Sequence, residues 1–552
     1  MDVALCWHMH QPSYRAADGE YRQPWVYLHA IKDYADMVWH LEHVESARAT
    51  VSLAPVLLDQ LDDYAAQCAS LTFRDPLLRA LQRGGAESEK DLRHLCYALC
   101  RANYERMVRR FPPYERLFHI AETAAWGGAP PSPQDLTDAL VWYHLVWFGE
   151  ATRREDARVQ ALIEKARGFG DEDRSTVLAV IGELVTGIGA RYRALGESGR
   201  IELSTSPYSH PILPLLIDFR AAWETRPESA LPACAQYPGG RERVEAQLQR
   251  ARVAHAERFG VSPRGCWPSE GAISTPSVTA LTANDFSWTA SGQGVLEDSL
   301  RLAGRDVDTS SVHRPHAIRT EAGEIACFFR DDDLSDRIGF IYAPWKASEA
   351  IDDLIAALEQ IADRDGASGA RAVTIILDGE NAWEHYAENA FDFLQQLYQR
   401  AGTHPRLHLT TPSEHLAHGR LGVPALDAVV AGSWVYGTLE TWIGDEDKNC
   451  GWDLLCHAKR AYDERVAGGM QQAALARAEG ILRQCESSDW FWWFGGYNPP
   501  APVRDFERLF RAHLHDLYDA IGVAAPPELD RPVSVGTGAQ VYDGVMRRAT
   551  KA

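Results

Sequence analysis

The stretch Val373-Thr-Ile-Ile-Leu-Asp378-Gly-Glu380-Asn-Ala-Trp383 opens as a short apolar run and stops abruptly at a carboxylate. A run of this length bounded by turn residues reads as a strand buried on both faces. The pattern recurs at residues 3–7, 50–53, 201–204, 265–267, 286–290, 325–329 and 407–410, with helix-period segments such as 241–259 and 348–364 between most of them. Strands alternating with helices imply a parallel sheet, and this many in one chain favours a closed α/β barrel over an open sheet. In such barrels the chemistry lies just past the carboxyl ends of the strands. His8, His10, His210, Glu270, Asp331 and Asp378 all fall at such positions.

Residues 56–198 interrupt the alternation and read as a helical insertion, broken by Gly, Pro and Ser at 127–133. From about residue 425 the strand signal fades and helical periodicity returns at 452–466, 470–483 and 503–521. The expected organisation is a catalytic barrel over residues 1–420, insertion included, and a helical domain over 421–552 that lends loops to the cleft. No structure is assigned to the Pro-, Gly- and Val-rich tail after Ala524.

A chain of 552 residues exceeds what one core serves. Its formal charge of −21 repels nucleic acid and anionic membrane surfaces, with no Lys/Arg block to offset it. A neutral, hydroxyl-rich substrate suits that field, and so does a cationic one. The ten cysteines show no C-x-x-C pair and no zinc-like spacing, and Cys96 and Cys100 read as helix packing. The N-terminus enters a strand-like run without a basic region, and no apolar run reaches the ~20 residues of a membrane span. The expectation is a cytoplasmic protein with no cofactor, no nucleic-acid partner and no membrane partner; oligomeric state is left open.

Glycosidic cleavage needs two carboxyl groups flanking one bond, one to protonate the departing oxygen and one to attack carbon or activate water. Gly265-Cys-Trp-Pro-Ser-Glu270-Gly and Leu377-Asp378-Gly-Glu380-Asn each place a carboxylate after a strand. Alone, either also reads as a helix cap, and the residues themselves do not rank Asp378 above Glu380. Seventeen Trp strengthen the reading, because Trp25, Trp267, Trp383, Trp434, Trp442 and the 490–493 run sit beside Gly, Asp, Asn or Pro, as in loops. A flat amphipathic ring suits the apolar face of a sugar.

Seven blocks, in order, carry a resemblance: His8-Met-His10-Gln-Pro; Trp25-Val-Tyr-Leu-His29-Ala-Ile-Lys-Asp33-Tyr; Ser204-Thr-Ser-Pro-Tyr-Ser-His210-Pro; Trp267-Pro-Ser-Glu270-Gly; Leu377-Asp378-Gly-Glu-Asn-Ala-Trp383-Glu-His385-Tyr; Thr441-Trp442-Ile-Gly-Asp445-Glu-Asp-Lys448-Asn449; and Ser488-Asp489-Trp490-Phe-Trp-Trp493. With them the chain resembles glycoside hydrolase family 57, in particular its amylopullulanase-like α-amylase branch. The resemblance implies a (β/α)7 pseudo-TIM barrel closed over by a C-terminal helical domain. Eight strand candidates would then leave at least one outside the ring. It further implies a retaining α-1,4-glucan hydrolase acting by double displacement on α-glucans or maltooligosaccharides. Glu270 is the implied nucleophile and Asp378 the implied general acid/base, with burial and the neighbouring Glu270 expected to raise the Asp378 pKa. The implied substrate-binding residues are His8, His10, Trp25, His210, Trp267, Trp383, His385, Trp442, Asp445 and Trp490, with Trp442 or Trp490 stacking on sugar. Arg330-Asp331-Asp332-Asp333 departs from the family in its acidity, which points to an altered bordering subsite.

Three other readings stand beside this one. A 4-α-glucanotransferase or branching enzyme would use the same carboxylates and differ in how water is excluded. An amidohydrolase-type barrel could ligate zinc through His8, His10, His210 and Asp378, although the Gln-Pro after His10 and the Trp-Pro-Ser-Glu block favour no metal. A non-catalytic glucan binder would not need both carboxylates.

Overall fold

The computed structural model describes residues 1–364, 371–419 and 425–538. All eight apolar runs form strands: β1 Asp2–Met9, β2 Ala49–Leu53, β3 Ile201–Thr205, β4 Gly265–Cys266, β5 Trp288–Ser291, β7 Gly323–Phe329, β8 Ala372–Asp378 and β9 His408–Thr410. A further strand, β6 at His316–Thr320, was not expected. Its sequence, His-Ala-Ile-Arg-Thr, offers two apolar residues, and it pairs antiparallel with β7 at the end of the hydrogen-bonded path.

The parallel pairs β8–β1–β2–β3–β4–β5–β7 make seven strands, and a bridge from Arg330 to Thr374 joins β7 back to β8. There Asp331 N–H donates to the Thr374 carbonyl at 2.8 Å. The ring is therefore a closed seven-stranded barrel. β9 pairs with Asp2 to Ala4 at the start of β1, so it is the candidate strand left outside. Alternation along β1 sends Leu5, Trp7 and Met9 to the outer core and Cys6 to an inner cluster with Trp267, Trp288, Ala290, Phe328 and Ile376. A Cβ on Gly265 would lie 1.8 Å from the Trp288 ring, which explains glycine where that indole fills the interior.

Between β2 and β3 the chain is helical from Pro55–Ser70 to Asp171–Glu197. Asp75 accepts from the N–H groups of Leu77 and Leu78 to start helix Pro76–Arg83, and Ser132 caps Pro133–Trp147 in the same way after the Gly/Pro break. After β9 come helices Glu446–Ala467, Gln472–Cys485, Ser488–Trp493 and Pro500–Ile521. Among the described residues, no helix is long and apolar enough to cross a membrane.

Candidate active site

Asp378 is the last residue of β8 and lies in register with His8 of β1. Its side chain is half-buried, and Asn381 Nδ2 donates to its Oδ2 at 2.9 Å. Burial pushes the Asp378 carboxyl up to about 6, against the pull of the Asn381 donor, His10 and Arg330. The like charge that adds to the rise is Asp489, whereas the sequence reading expected Glu270 in that role. Glu380, two residues on, is only 2% exposed and is pushed well above the ordinary carboxylate range, first by burial and then by Asp378. Its Oε1 accepts from Gln11 Nε2 at 3.1 Å and from His10 N–H at 3.4 Å. Glu380 thus clamps the His10-Gln11 turn from within, and Asp378 is the carboxyl a substrate can reach.

Glu270 sits on a 3-10 turn, Ser269–Gly271, just past β4. It adopts φ 58°, ψ 22°, followed by Gly271 at φ 59°. A left-handed non-glycine residue costs on the order of 1 kcal/mol, and such residues cluster at functional sites. Gly271 is required on space as well as on φ, since a Cβ would lie 2.8 Å from the Trp267 ring. Trp434 closes on Glu270 twice: its indole Nε1–H donates to Oε2 at 2.9 Å and its backbone N–H to the Glu270 carbonyl at 3.0 Å. In the ring, β4 and β8 are separated by two strands on one side, so the two carboxylates rise from opposed walls of the mouth. Trp267 spans the gap, 5.2 Å from Trp434 and 6.3 Å from His8 between ring centroids.

The mouth between them is lined by three imidazoles. His8 Nε2 and His210 Nε2 are 3.0 Å apart, and the His10 and His210 rings stack at 3.8 Å and 17°. Burial, with His10 nearby, holds both His8 and His210 well below the ordinary histidine range. Both are therefore neutral at pH 7, and one ring donates its N–H to the other. The helical part of the chain completes the lining: His10 Nε2 donates to Asp489 Oδ2 at 2.8 Å, and His210 Nδ1 meets Ser488 Oγ at 2.9 Å. His10, His210 and Asp489 offer ligand atoms within 4.8 Å of one another. Stacked rings, however, send their in-plane lone pairs out side by side rather than toward one point, so a shared metal would require one ring to turn. The zinc reading had placed Asp378 in this set, whereas the carboxylate that joins the group is Asp489.

Other expected sugar-site residues lie elsewhere. Trp383, Trp442 and Trp490 are each fully buried. Trp383 donates to the Gly379 carbonyl at 2.8 Å and packs on Trp7; Trp442 packs beside Trp492; Trp490 donates to the Gln484 carbonyl and packs against Phe506 and Phe510. None has a ring face left for a sugar, and this corrects the stacking expected of Trp442 or Trp490. Trp25 packs against Trp147 with the Arg101 guanidinium 4.3 Å from its ring. Asp445 is the N-cap of Glu446–Ala467, accepting from Asp447 N–H at 2.9 Å. His385 is half-buried on the turn Trp383–His385, 3.6 Å from Glu384. The acidic run has internal duties: Asp332 and Asp336 hold buried Arg330 at 2.8 and 2.7 Å, while Asp331 accepts from His313 and caps the following helix.

In the sequence Asp489 and Asn381 carried no separate role, and Trp434 stood only as one loop aromatic among several and Arg330 only as the head of an acidic run. For Trp434 the signal was its flanking Gly432 and Gly437. A Cβ on Gly432 would meet the Gly437 carbonyl at 2.2 Å, and one on Gly292 would meet the Trp434 Cα at 2.6 Å, so this backbone is pressed onto the barrel mouth. For Asp489 the signal was a carboxylate heading a tryptophan run.

The sequence profile of glycosyl hydrolase family 57 matches residues 4–426. The chain belongs to glycosyl hydrolase family 57. The family match takes in Glu270, Asp378 and the three histidines, while Trp434 and Asp489 lie beyond its end. Among solved structures, the fold is similar to that of the family 57-type branching enzyme of Pyrococcus horikoshii (TM-score 0.60, 15% identity, 98% of each chain). It is also similar to the α-amylase AmyC of Thermotoga maritima (0.55, 16%, 94% of this chain and 93% of that one). The 4-α-glucanotransferase of Thermococcus litoralis aligns with 94% of this chain over 59% of its own length (0.52, 12%). No curated protein sequence matches the chain.

Proposed function

We propose that this family 57 enzyme cleaves α-1,4-glucosidic bonds of uncharged α-glucans with retention, using Glu270 as nucleophile and Asp378 as general acid/base. The observation that carries this reading is the contrast between the two carboxylates. Burial keeps Asp378 proton-bearing up to about pH 6, as a proton donor needs, whereas Glu270 stands past the opposed strand β4 with its Oε2 held by the Trp434 indole N–H. Glu270 attacks the anomeric carbon as Asp378 protonates the departing oxygen. Water or a sugar hydroxyl then attacks the same carbon, Asp378 takes its proton, and the Glu270 carboxylate is released. His8, His10, His210 and Trp267 form the wall against which the sugar is held.

The solved relatives, named as an α-amylase, a branching enzyme and a 4-α-glucanotransferase, support α-glucans as the substrate class. Hydrolysis of the α-amylase or amylopullulanase type is the first assignment, on maltooligosaccharides and glycogen, with the barrel ending before residue 420 and the helical part within the described residues 425–538; the rest of the expected 421–552 domain lies outside the described residues. An NMR time course on maltoheptaose tests it. The expected result is shorter oligosaccharides whose first-formed anomer is α. Products longer than the starting sugar would reassign the enzyme to glucan transfer, a β-anomer appearing first would overturn retention, and no reaction on any α-glucan would overturn the substrate class.

A further inference from the structure

Trp434 touches Glu270, the proposed nucleophile, at two points, and its ring is itself held from behind. The indole meets Trp267 edge to face at 5.2 Å, and the guanidinium of Arg330 lies 5.4 Å from its centroid. Arg330 is in turn fixed by Asp332, Asp336 and the Ile376 carbonyl at 2.9 Å. An indole this constrained presents its N–H to one oxygen only, Oε2 of Glu270.

We infer that Trp434 is a positioning residue that marks Oε2 as the spectator oxygen of Glu270 and speeds the second half of the reaction, breakdown of the glycosyl–enzyme ester. The inference rests on the proposed role of Glu270. In the first step the Oε1–C1 bond forms, the C1–oxygen bond of the leaving group breaks, and the proton of Asp378 passes to that oxygen. Oε2 becomes an ester carbonyl, a weaker acceptor than a carboxylate oxygen. In the second step the incoming water or sugar hydroxyl bonds to C1 and gives its proton to Asp378, while the Oε1–C1 electron pair returns to Glu270. Negative charge then grows again on both carboxylate oxygens, and the N–H bond to Oε2 strengthens as it does so. A donor whose interaction is stronger in the transition state than in the ester lowers that barrier. In the first step the same donor favours the ground-state carboxylate over the transition state, so its loss leaves that step no slower.

The test is rapid-quench kinetics with 4-nitrophenyl α-maltoheptaoside on Trp434→Phe, which keeps a ring but removes the N–H. Hydrogen bonds to charged groups correspond to roughly 10- to 100-fold in rate. The expected result is a steady-state rate lower by up to that factor, preceded by a burst near one nitrophenolate per enzyme whose rate constant is no lower than that of wild type. Peptide mapping of the quenched variant should find the sugar on Glu270. Losing a donor also disfavours the charged carboxylate, so the acid limb of the kcat/KM profile should move to higher pH, a shift that simple loosening of the fold would not produce. If Trp434→Phe does not fold, 3-benzothienylalanine at 434, which keeps the bicyclic shape without the N–H, serves the same measurement. A glycosyl adduct on Glu270 that turns over at the wild-type rate, or a first step slowed as much as the second, overturns this inference alone. Absence of any adduct on Glu270 in a variant that still turns over overturns the nucleophile assignment, and this inference with it.

Discussion

Asp378 and Glu380 are two positions apart, equally acidic in sequence, and separated by their surroundings. Glu380 is sealed against Gln11 and the His10 backbone, whereas Asp378 remains half-buried at the strand end. This fine ranking was not legible from residues 377–381, because it depends on which side of the strand end the 8–11 turn occupies. Asn381 offers a direct handle on the proposed acid. Its N–H favours the charged form of Asp378, so Asn381→Ala should raise the Asp378 pKa further and move the basic limb of kcat/KM on maltoheptaose to higher pH. An unchanged limb would show that another group governs it. A stability effect follows from the same shift. The folded value is about 6 against about 3.9 for an unfolded aspartate, so the native state binds the proton more tightly. Stability is then lost as pH rises from about 4 to 6 and stays lower above that. Asp378→Asn, which cannot ionise, should therefore melt above wild type at pH 8 and converge with it near pH 4. A constant offset across that range would refute burial as the cause.

At the scale of elements, the strands that form the ring were legible because each is a short apolar run with a polar stop. β6 was not, since only Ala317 and Ile318 are apolar, the buried first residue is His316, and Arg319 and Thr320 lie toward solvent at the end of the sheet path. Closure itself was not readable either: it comes from the Arg330–Thr374 bridge, a contact with no local signature. The tryptophans misled in an instructive way. Residues 441–449 look like a binding loop, with Trp442, Asp445 and Lys448 close together, yet each serves the local structure. Lys448 Nζ donates to the Thr441 carbonyl at 2.7 Å, Asp445 caps the helix, and Trp442 is fully buried and receives the Trp452 N–H at its carbonyl. Trp442→Ala should cost about 3–5 kcal/mol of stability, as for large aromatic side chains removed from a core. At a temperature where the variant is folded, KM for maltoheptaose should stay within about twofold of wild type. A large rise in KM with unchanged urea denaturation would return Trp442 to the sugar site.

At the scale of the molecule, the barrel brings two carboxylates and three histidines to one mouth, and a segment some 280 residues beyond His210 supplies Ser488 and Asp489 to the same imidazoles. Such joining of distant segments is what sequence blocks in order can suggest and only three-dimensional packing can realise. The charge of −21 acts on the molecule as a whole. Self-repulsion disfavours the compact state and is screened by salt, because the Debye length falls from about 10 Å at 0.1 M to about 3 Å at 1 M. The melting temperature should therefore rise as NaCl is increased from 0.05 to 0.5 M. An uncharged glucan feels none of that field on approach, so kcat/KM on maltoheptaose should change by less than about twofold over the same range. The two measurements separate the field's effect on folding from its effect on binding. A steep change of kcat/KM on this neutral sugar, in either direction, would show that salt acts on the enzyme's own site, and the charge of −21 would then carry no argument for a neutral substrate.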